Sequence, residues 1–437
     1  MKKLLKLSVL TAGLLTLMGA CSNDEMPDFP APDATTQTPP SGLDRALRIV
    51  DEMMKELDGG ATRSSRRIAT IEKVNQLTRS DAQAPNWFLL NFESDAGFAL
   101  ITDAIIESPV YAISDAGHLS MSDTIENKAL AKVLSNIFIM GYVDTMNEAA
   151  NAGNMNTADT PYIPGDGYYP GELKKPSTLT DSLIKIPWKE PCWLEDRVLV
   201  APRLTKHVQK WGQLEPFNIL CPTIHDNYTG EEKHGYIGSA PLAMAMIMSH
   251  YQWPKSYYSA SPNETYEFHW DEIRDYSYRY AMSRLTREIS RAYNMDAQWE
   301  NSGTYVNQTN APKTFENFGY KKPVIERFDS IGLHTILNLK SPLLLMCDNH
   351  MWVVDGLYRR VDGTSGISDT RTVWETFYYY HNVWGHNGES NGYFRMTDGI
   401  GNEEFDGKAY QYDDPDIYNH TGYVFYDINA IGRLYHK

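Results

Sequence analysis

Gly235-Tyr236-Ile237-Gly238-Ser239-Ala240-Pro241-Leu242-Ala243-Met244-Ala245-Met246-Ile247-Met248-Ser249-His250-Tyr251 is the stretch whose reading decides the fold of this chain. It reads as a tight glycine turn feeding a buried helix. Ala243, Met246, Ile247 and Tyr251 lie near helical spacing, and only small or apolar residues precede Ser249. Ser239 is expected as the N-cap, with Pro241 in the first turn, where backbone donors are unpaired anyway. A nucleophile at this helix start would have its anion stabilised by free N–H groups and the positive end of the helix dipole. A capped core helix with no chemistry is the plain alternative.

Three further motifs stand at a distance from this helix. Upstream come Lys210-Trp211-Gly212-Gln213, Glu215-Pro216-Phe217-Asn218 and Cys221-Pro222. Downstream, the apolar run Pro342-Leu343-Leu344-Leu345-Met346 leads to Asn349-His350-Met351-Trp352-Val353-Val354-Asp355-Gly356. Last comes His381-Asn382-Val383-Trp384-Gly385-His386-Asn387-Gly388, closing on Asn391-Gly392-Tyr393-Phe394-Arg395.

In this order the set resembles the streptopain family of papain-fold cysteine peptidases. Gly238 to Met248 match that family's nucleophile helix in register, and Tyr251, Trp253 and Pro254 close the pattern. The resemblance implies a papain-like α+β fold, with a helical lobe beside an antiparallel sheet lobe. It also implies catalytic positions at Ser239 (nucleophile), His350 (base), Gln213 (oxyanion donor) and Trp384 beside them. An oxyanion donor of this kind is worth roughly 3 to 4 kcal/mol in the transition state. The departures are specific: Ser239 stands where the family has cysteine, Asn349 where it has glycine, and Val383 where it has the asparagine that orients the histidine. Asn382 sits one place early, and one place along an extended strand points to the opposite face.

These departures bear on chemistry. A thiol ionises near pKa 8.5, whereas a serine hydroxyl titrates roughly five units higher, so ionising it costs roughly 7 kcal/mol more. A helix terminus offsets only about 1 kcal/mol of that. Serine peptidases take the proton during attack, using a firmly oriented histidine, and Val383 withdraws the orienting group. Cys221 lies outside the active helix, and Cys347, three residues before His350, is too close in sequence to face it as nucleophile unless a turn intervenes.

The N-terminal half supports the same picture. Leu43 to Leu57 has an apolar stripe of Leu43, Leu47, Val50, Met54 and Leu57, predicting a helix. Asn86–Phe92 and Gly97–Thr102 read as a hairpin, Val110–Ser114 as a third strand and Lys128–Met140 as a helix. This succession resembles the inhibitory propeptide of streptopain-like zymogens. Between 151 and 191 the composition turns to Gly, Pro, Tyr, Thr and Asp, an expected linker and cleavage region.

The first residues read as an address. Lys2, Lys3 and Lys6 precede the apolar run Leu7–Leu17, and Leu17-Met18-Gly19-Ala20-Cys21 resembles a bacterial lipobox, making Cys21 the expected lipidation site. Residues 22–41, rich in Pro, Thr, Asp and Ala, read as a tether. The expected organisation is therefore signal peptide 1–20, tether 21–42, propeptide 43–150, linker 151–191 and peptidase domain 192–437. A length of 437 residues is consistent with more than one domain. A formal charge of -16 argues against nucleic-acid binding. Of four cysteines, Cys192, Cys221 and Cys347 remain after Cys21, an odd number that does not suggest a disulfide framework.

The expected function is a lipoprotein of the outer membrane and cell surface. It keeps the zymogen architecture and a cleft for peptide or protein, with hydrolysis impaired and its own propeptide bound in cis. Membrane attachment is expected through the lipid alone, and no metal or cofactor is assigned. The alternatives are an active peptidase using Ser239 and His350, or a surface adhesin on a decayed fold.

Overall fold

The computed structural model describes residues 42–59, 66–74, 86–151, 198–365, 372–396 and 429–432, apart from positions 105, 107, 121, 123–124, 202, 228, 276–278, 301–302, 322, 329–339 and 348–349. Cys21, Cys192, the expected signal and, apart from Gly42 and Asn151, the expected tether and linker lie outside the described residues.

The first described element is α1 (Gly42–Leu57), whose Ala46, Ile49, Val50, Met53 and Met54 are buried. The buried stripe runs between the expected leucines, which lie at its margins; Leu43, Leu47 and Leu57 are only partly covered. Then follow β1 (Ile68–Val74), β2 (Trp87–Phe92), β3 (Phe98–Thr102) and β4 (Val110–Ser114). β1 has no clear apolar alternation and is mostly exposed; it exists because it pairs antiparallel with β2 along the sheet edge. The next helix, α2 (Lys128–Asn151), runs past the expected end at Met140. Its added turns are held to the sheet by Asp144, which accepts a hydrogen bond from Tyr111 Oη at 2.7 Å and pairs with Arg395 at 3.0 Å.

After β5 (Val198–Ala201) the chain makes the hairpin β6 (Thr223–His225) and β7 (Glu232–His234), then α3 (Ser239–Tyr251). Next come the hairpin β8 (Ser256–Ser259) and β9 (Glu264–Glu267), α4 (Trp270–Arg274), α5 (Arg279–Ile289), the hairpin β10 (Gln298–Glu300) and β11 (Gly303–Tyr305), and α6 (Ala311–Asn317). The last strands are β12 (Val324–Arg327), β13 (Leu343–Cys347), β14 (His350–Ser365), β15 (Thr372–Val383), β16 (Gly392–Arg395) and β17 (Asn429–Gly432).

This is an α+β fold. Its main sheet has the order β1-β2-β3-β4-β16-β15-β14-β13-β17-β12, with β5 on β14, and each of these neighbours is antiparallel. Strands from the two halves of the sequence therefore share one sheet, joined where β4 meets β16.

Alternation along β14 sorts its side chains between two cores. Met351 and Val353 pack with Ala243, Met246 and Ile247 of α3 and with Val383. Trp352 and Val354 face the other way, into a core with Leu134 and Ile137 of α2 and with Trp384. A third core sets α1 against Ile101, Val110, Tyr358, Tyr379 and Tyr393. The sheet is thus covered by α2 on one face and by α1 and α3 on the other.

Candidate active site

The helix start differs from the expected cap. Gly238 holds the N-cap with φ 89 and ψ 149, and Ser239 is the first helical residue. Gly238 has a positive φ that L side chains rarely adopt, and a Cβ there would meet Thr304 at 3.2 Å. The Ser239 hydroxyl is therefore not used to cap its own helix. Its Oγ accepts a hydrogen bond from the backbone N–H of Met351 at 3.3 Å, which brings the helix start against the first residues of β14.

His350 is on β14, one residue before that contact, but its imidazole lies on the opposite side of the sheet. It lines a cavity of about 270 Å³ with Ile125, Lys128, Ala131, Lys132, Ser135 and Cys347, under α2. Its Nε2 is buried and has no hydrogen-bond partner. Burial, aided by the charges of Lys128 and His386, lowers its pKa to about 4. The imidazole is therefore neutral at neutral pH and a weak base. The start of α3 is thus brought against β14 next to His350, without Ser239 and His350 forming a side-chain pair.

Of the other expected positions, the Gln213 backbone is tied to the segment before the helix, and Trp384 packs on the α2 side of the sheet. Ile237 N donates to the Gln213 carbonyl at 3.0 Å, which fixes the Gln213 segment two residues ahead of Ser239. Trp384 is buried; its backbone N donates to Asn391 Oδ1 at 3.1 Å and its Nε1 to the Ser390 carbonyl at 2.7 Å. Its ring centroid is 5.8 Å from that of Trp352, on the α2 side. Asn387 N donates to the Trp211 carbonyl at 3.0 Å, tying the loop after Trp384 to the Gln213 segment.

The register of β14 and β15 pairs Val353 with Val383 and Val354 with Asn382. Val383 therefore shares the α3 core, while Asn382 faces the α2 side, where its Oδ1 accepts from Trp352 Nε1 at 2.8 Å and its Nδ2 donates to the Tyr380 carbonyl at 2.7 Å. Asn382 serves the packing of Trp352.

The two described cysteines are not disulfide-bonded. Burial pushes the Cys221 thiol up to about 12, so it stays protonated among core side chains. Cys347 meets the exception allowed for it. In the antiparallel register of β13 and β14 it is the partner of His350, and both line the same cavity.

A second buried cluster joins Asp355 and His381, each from a motif quoted above, to Asp115, a meeting that nothing local in the sequence signals. His381 is fully buried; its Nδ1 is 2.5 Å from Asp355 Oδ1 and its Nε2 is 2.8 Å from Asp115 Oδ2. The other oxygen of Asp355 accepts from Thr205 N at 3.0 Å, Thr205 Oγ1 at 2.7 Å and Gln209 Nε2 at 3.1 Å. Its members come from sites 26 and 266 residues apart, so only the folded sheet assembles them.

Residues 211–394 match the Peptidase C10 family, a span that contains Gln213, Ser239, His350 and Trp384. A solved structure of a prointerpain A fragment from Prevotella intermedia, in a cysteine-to-alanine mutant, is similar at 14% identity and a TM-score of 0.48, covering 84% of this chain and 99% of that one. No curated protein matches.

Proposed function

We propose that this chain is a lipid-anchored, zymogen-like member of the Peptidase C10 (streptopain) family whose cleft binds peptide or protein but no longer hydrolyses it efficiently. In this reading residues 43–150 are a propeptide held in cis, 192–437 the papain-like peptidase domain, and Cys21 the site of attachment to the outer membrane. The family match over residues 211–394 supports the peptidase ancestry. The observation that carries the loss of activity is the environment of Ser239. The hydroxyl accepts a backbone N–H from Met351, while the histidine that would take its proton faces the cavity under α2. A serine in place of a thiol already raises the ionisation cost by roughly 7 kcal/mol. Val383, buried in the α3 core, supplies no group to turn His350 toward it.

The test is hydrolysis of an unfolded protein by the purified chain, before and after cleavage between 151 and 191. The expected outcome is no turnover, unaffected by thiol-alkylating reagents. Ser239→Cys should restore partial turnover, and Ser239→Cys with Val383→Asn more than the separate effects would give, because groups acting as a unit are non-additive. If the parent chain cleaves substrate and Ser239→Ala abolishes the cleavage, it is a serine-using peptidase and the reading fails.

A further inference from the structure

The seam between the two halves of the sheet carries a charge cluster that strand pairing does not require. β4 runs antiparallel to β16 with Ala112 opposite Phe394, Ile113 opposite Tyr393 and Ser114 opposite Gly392. A Cβ on Gly392 would run into the Ile113 carbonyl and Ser114 Cα, so glycine is what lets β4 approach this closely. One residue past the last pair, Asp115 N donates to the Asn391 carbonyl at 2.6 Å, and the Asp115 carboxylate turns inward to Arg203 and His381.

His381 then stands between two carboxylates, Asp115 from the N-terminal half and Asp355 from the C-terminal half, each on a different ring nitrogen. A neutral imidazole has one N–H and would set a lone pair against one of those carboxylates; an imidazolium donates to both. We propose that the outer edge of β16, with Arg203 and His381 at its end, is a docking groove for an extended strand that carries a carboxylate just past its last paired residue, and that Asp115 is the anchor by which this chain's own residues 110–115 occupy it. The hold is proton-linked through His381. It does not depend on whether Ser239 cleaves anything.

The surroundings support that assignment from each packed element. Asp355 on β14, Arg203, Thr205 and Gln209 ahead of α3, and Tyr393 on β16 at 4.8 Å ring to ring all meet the cluster. Arg66 donates to the Ser114 carbonyl at 2.7 Å and acts on Asp115 from outside, while His207 and His250 feel Asp355 at longer range. Although burial opposes its charge, His381 is held above the ordinary imidazole range by Asp355 and Asp115. Asp115 is held below the ordinary carboxylate range against its own burial, chiefly by His381 and then Arg203. The sign follows. The raised imidazole stabilises docking fully below about 6.5, and this is lost as pH rises through its docked value. The lowered carboxylate stabilises docking above about 3.9, and this is lost as pH falls through its docked value.

The experiment uses the full chain. Amide hydrogen exchange, corrected for the intrinsic pH dependence, is followed in residues 110–117 and 391–395, with β2–β3 as internal reference. Histidine ring ¹⁵N shifts report the protonation of His381. Wild-type protection at the seam is expected to be flat from pH 5 to about 6 and to fall at least tenfold on the alkaline side, with the reference unchanged. Asp115→Asn keeps the shape but removes the charge. It should lower seam protection about tenfold at pH 6.5, remove most of the alkaline dependence and let His381 deprotonate at lower pH. Ser114→Ala, beside the anchor, should keep the wild-type pH profile. A wild-type seam indifferent to pH up to 9.5, or an unchanged His381 titration in Asp115→Asn, overturns the proposal. If Asp115→Asn fails to fold, the wild-type profile alone still decides.

Discussion

Histidines of this protein are driven in opposite directions by their surroundings. His350 and His207 are desolvated and fall to about 4, whereas His381 is raised between Asp355 and Asp115. A histidine whose folded pKa is lowered contributes stability above its unfolded value, near 6.5, that is lost as pH falls toward the folded one, because the unfolded chain binds the proton first. Thermal midpoints should therefore drop as the pH is taken from about 6.5 to about 5, before most carboxylates titrate. Replacing both His350 and His207 by Asn should flatten that limb, and an unaltered slope in the double variant would refute the assignment. His381 acts on the other limb, where stability is lost as pH rises.

At the scale of the element, α3 shows how a backbone position sets where a functional side chain goes. Ala, Met and Leu favour the helix, and Pro241 sits in its first turn at no hydrogen-bond cost. Gly238 makes the entry possible with its positive φ. Gly238→Ala is expected to cost about 1–3 kcal/mol from backbone strain alone, with the Thr304 contact added. Urea denaturation measures this; an alanine variant as stable as the parent would mean that the entry turn relaxes freely. The same change should shift Ser239 relative to Met351 N, since the serine follows the turn directly.

For the whole molecule, the decisive feature is the shared sheet. The core around α2 includes Trp87 and Leu89 of the N-terminal half with Trp352 and Trp384 of the C-terminal half, and the core around α1 includes Tyr358, Tyr379 and Tyr393. The described residues from Gly42 to Gly432 fall into one compact unit. Calorimetry of the intact chain is therefore expected to give one cooperative transition for both halves, with equal calorimetric and van't Hoff enthalpies. Two resolved transitions would show that the seam at β4 and β16 adds little to the stability of either half.

Much of this was legible in the amino-acid sequence because it is local. Helical spacing from Ala243 to Tyr251, the hairpin of β2 and β3, and the apolar run of β13 follow from side-chain periodicity and turn residues acting over a few positions. The ordered motifs around Gln213, Ser239, His350 and Trp384 pointed to the region that matches the Peptidase C10 family. Strand parity likewise separated Asn382 from Val383. What the sequence did not carry was decided by register and by contacts between distant segments. β1 exists through edge pairing, α2 is prolonged by Asp144, and Cys347 meets His350 because β13 and β14 pair antiparallel in that register. His350 faces α2, and His381 joins Asp115 to Asp355, because two halves of the chain complete one sheet; no periodicity along a single strand encodes a partner more than 200 residues away.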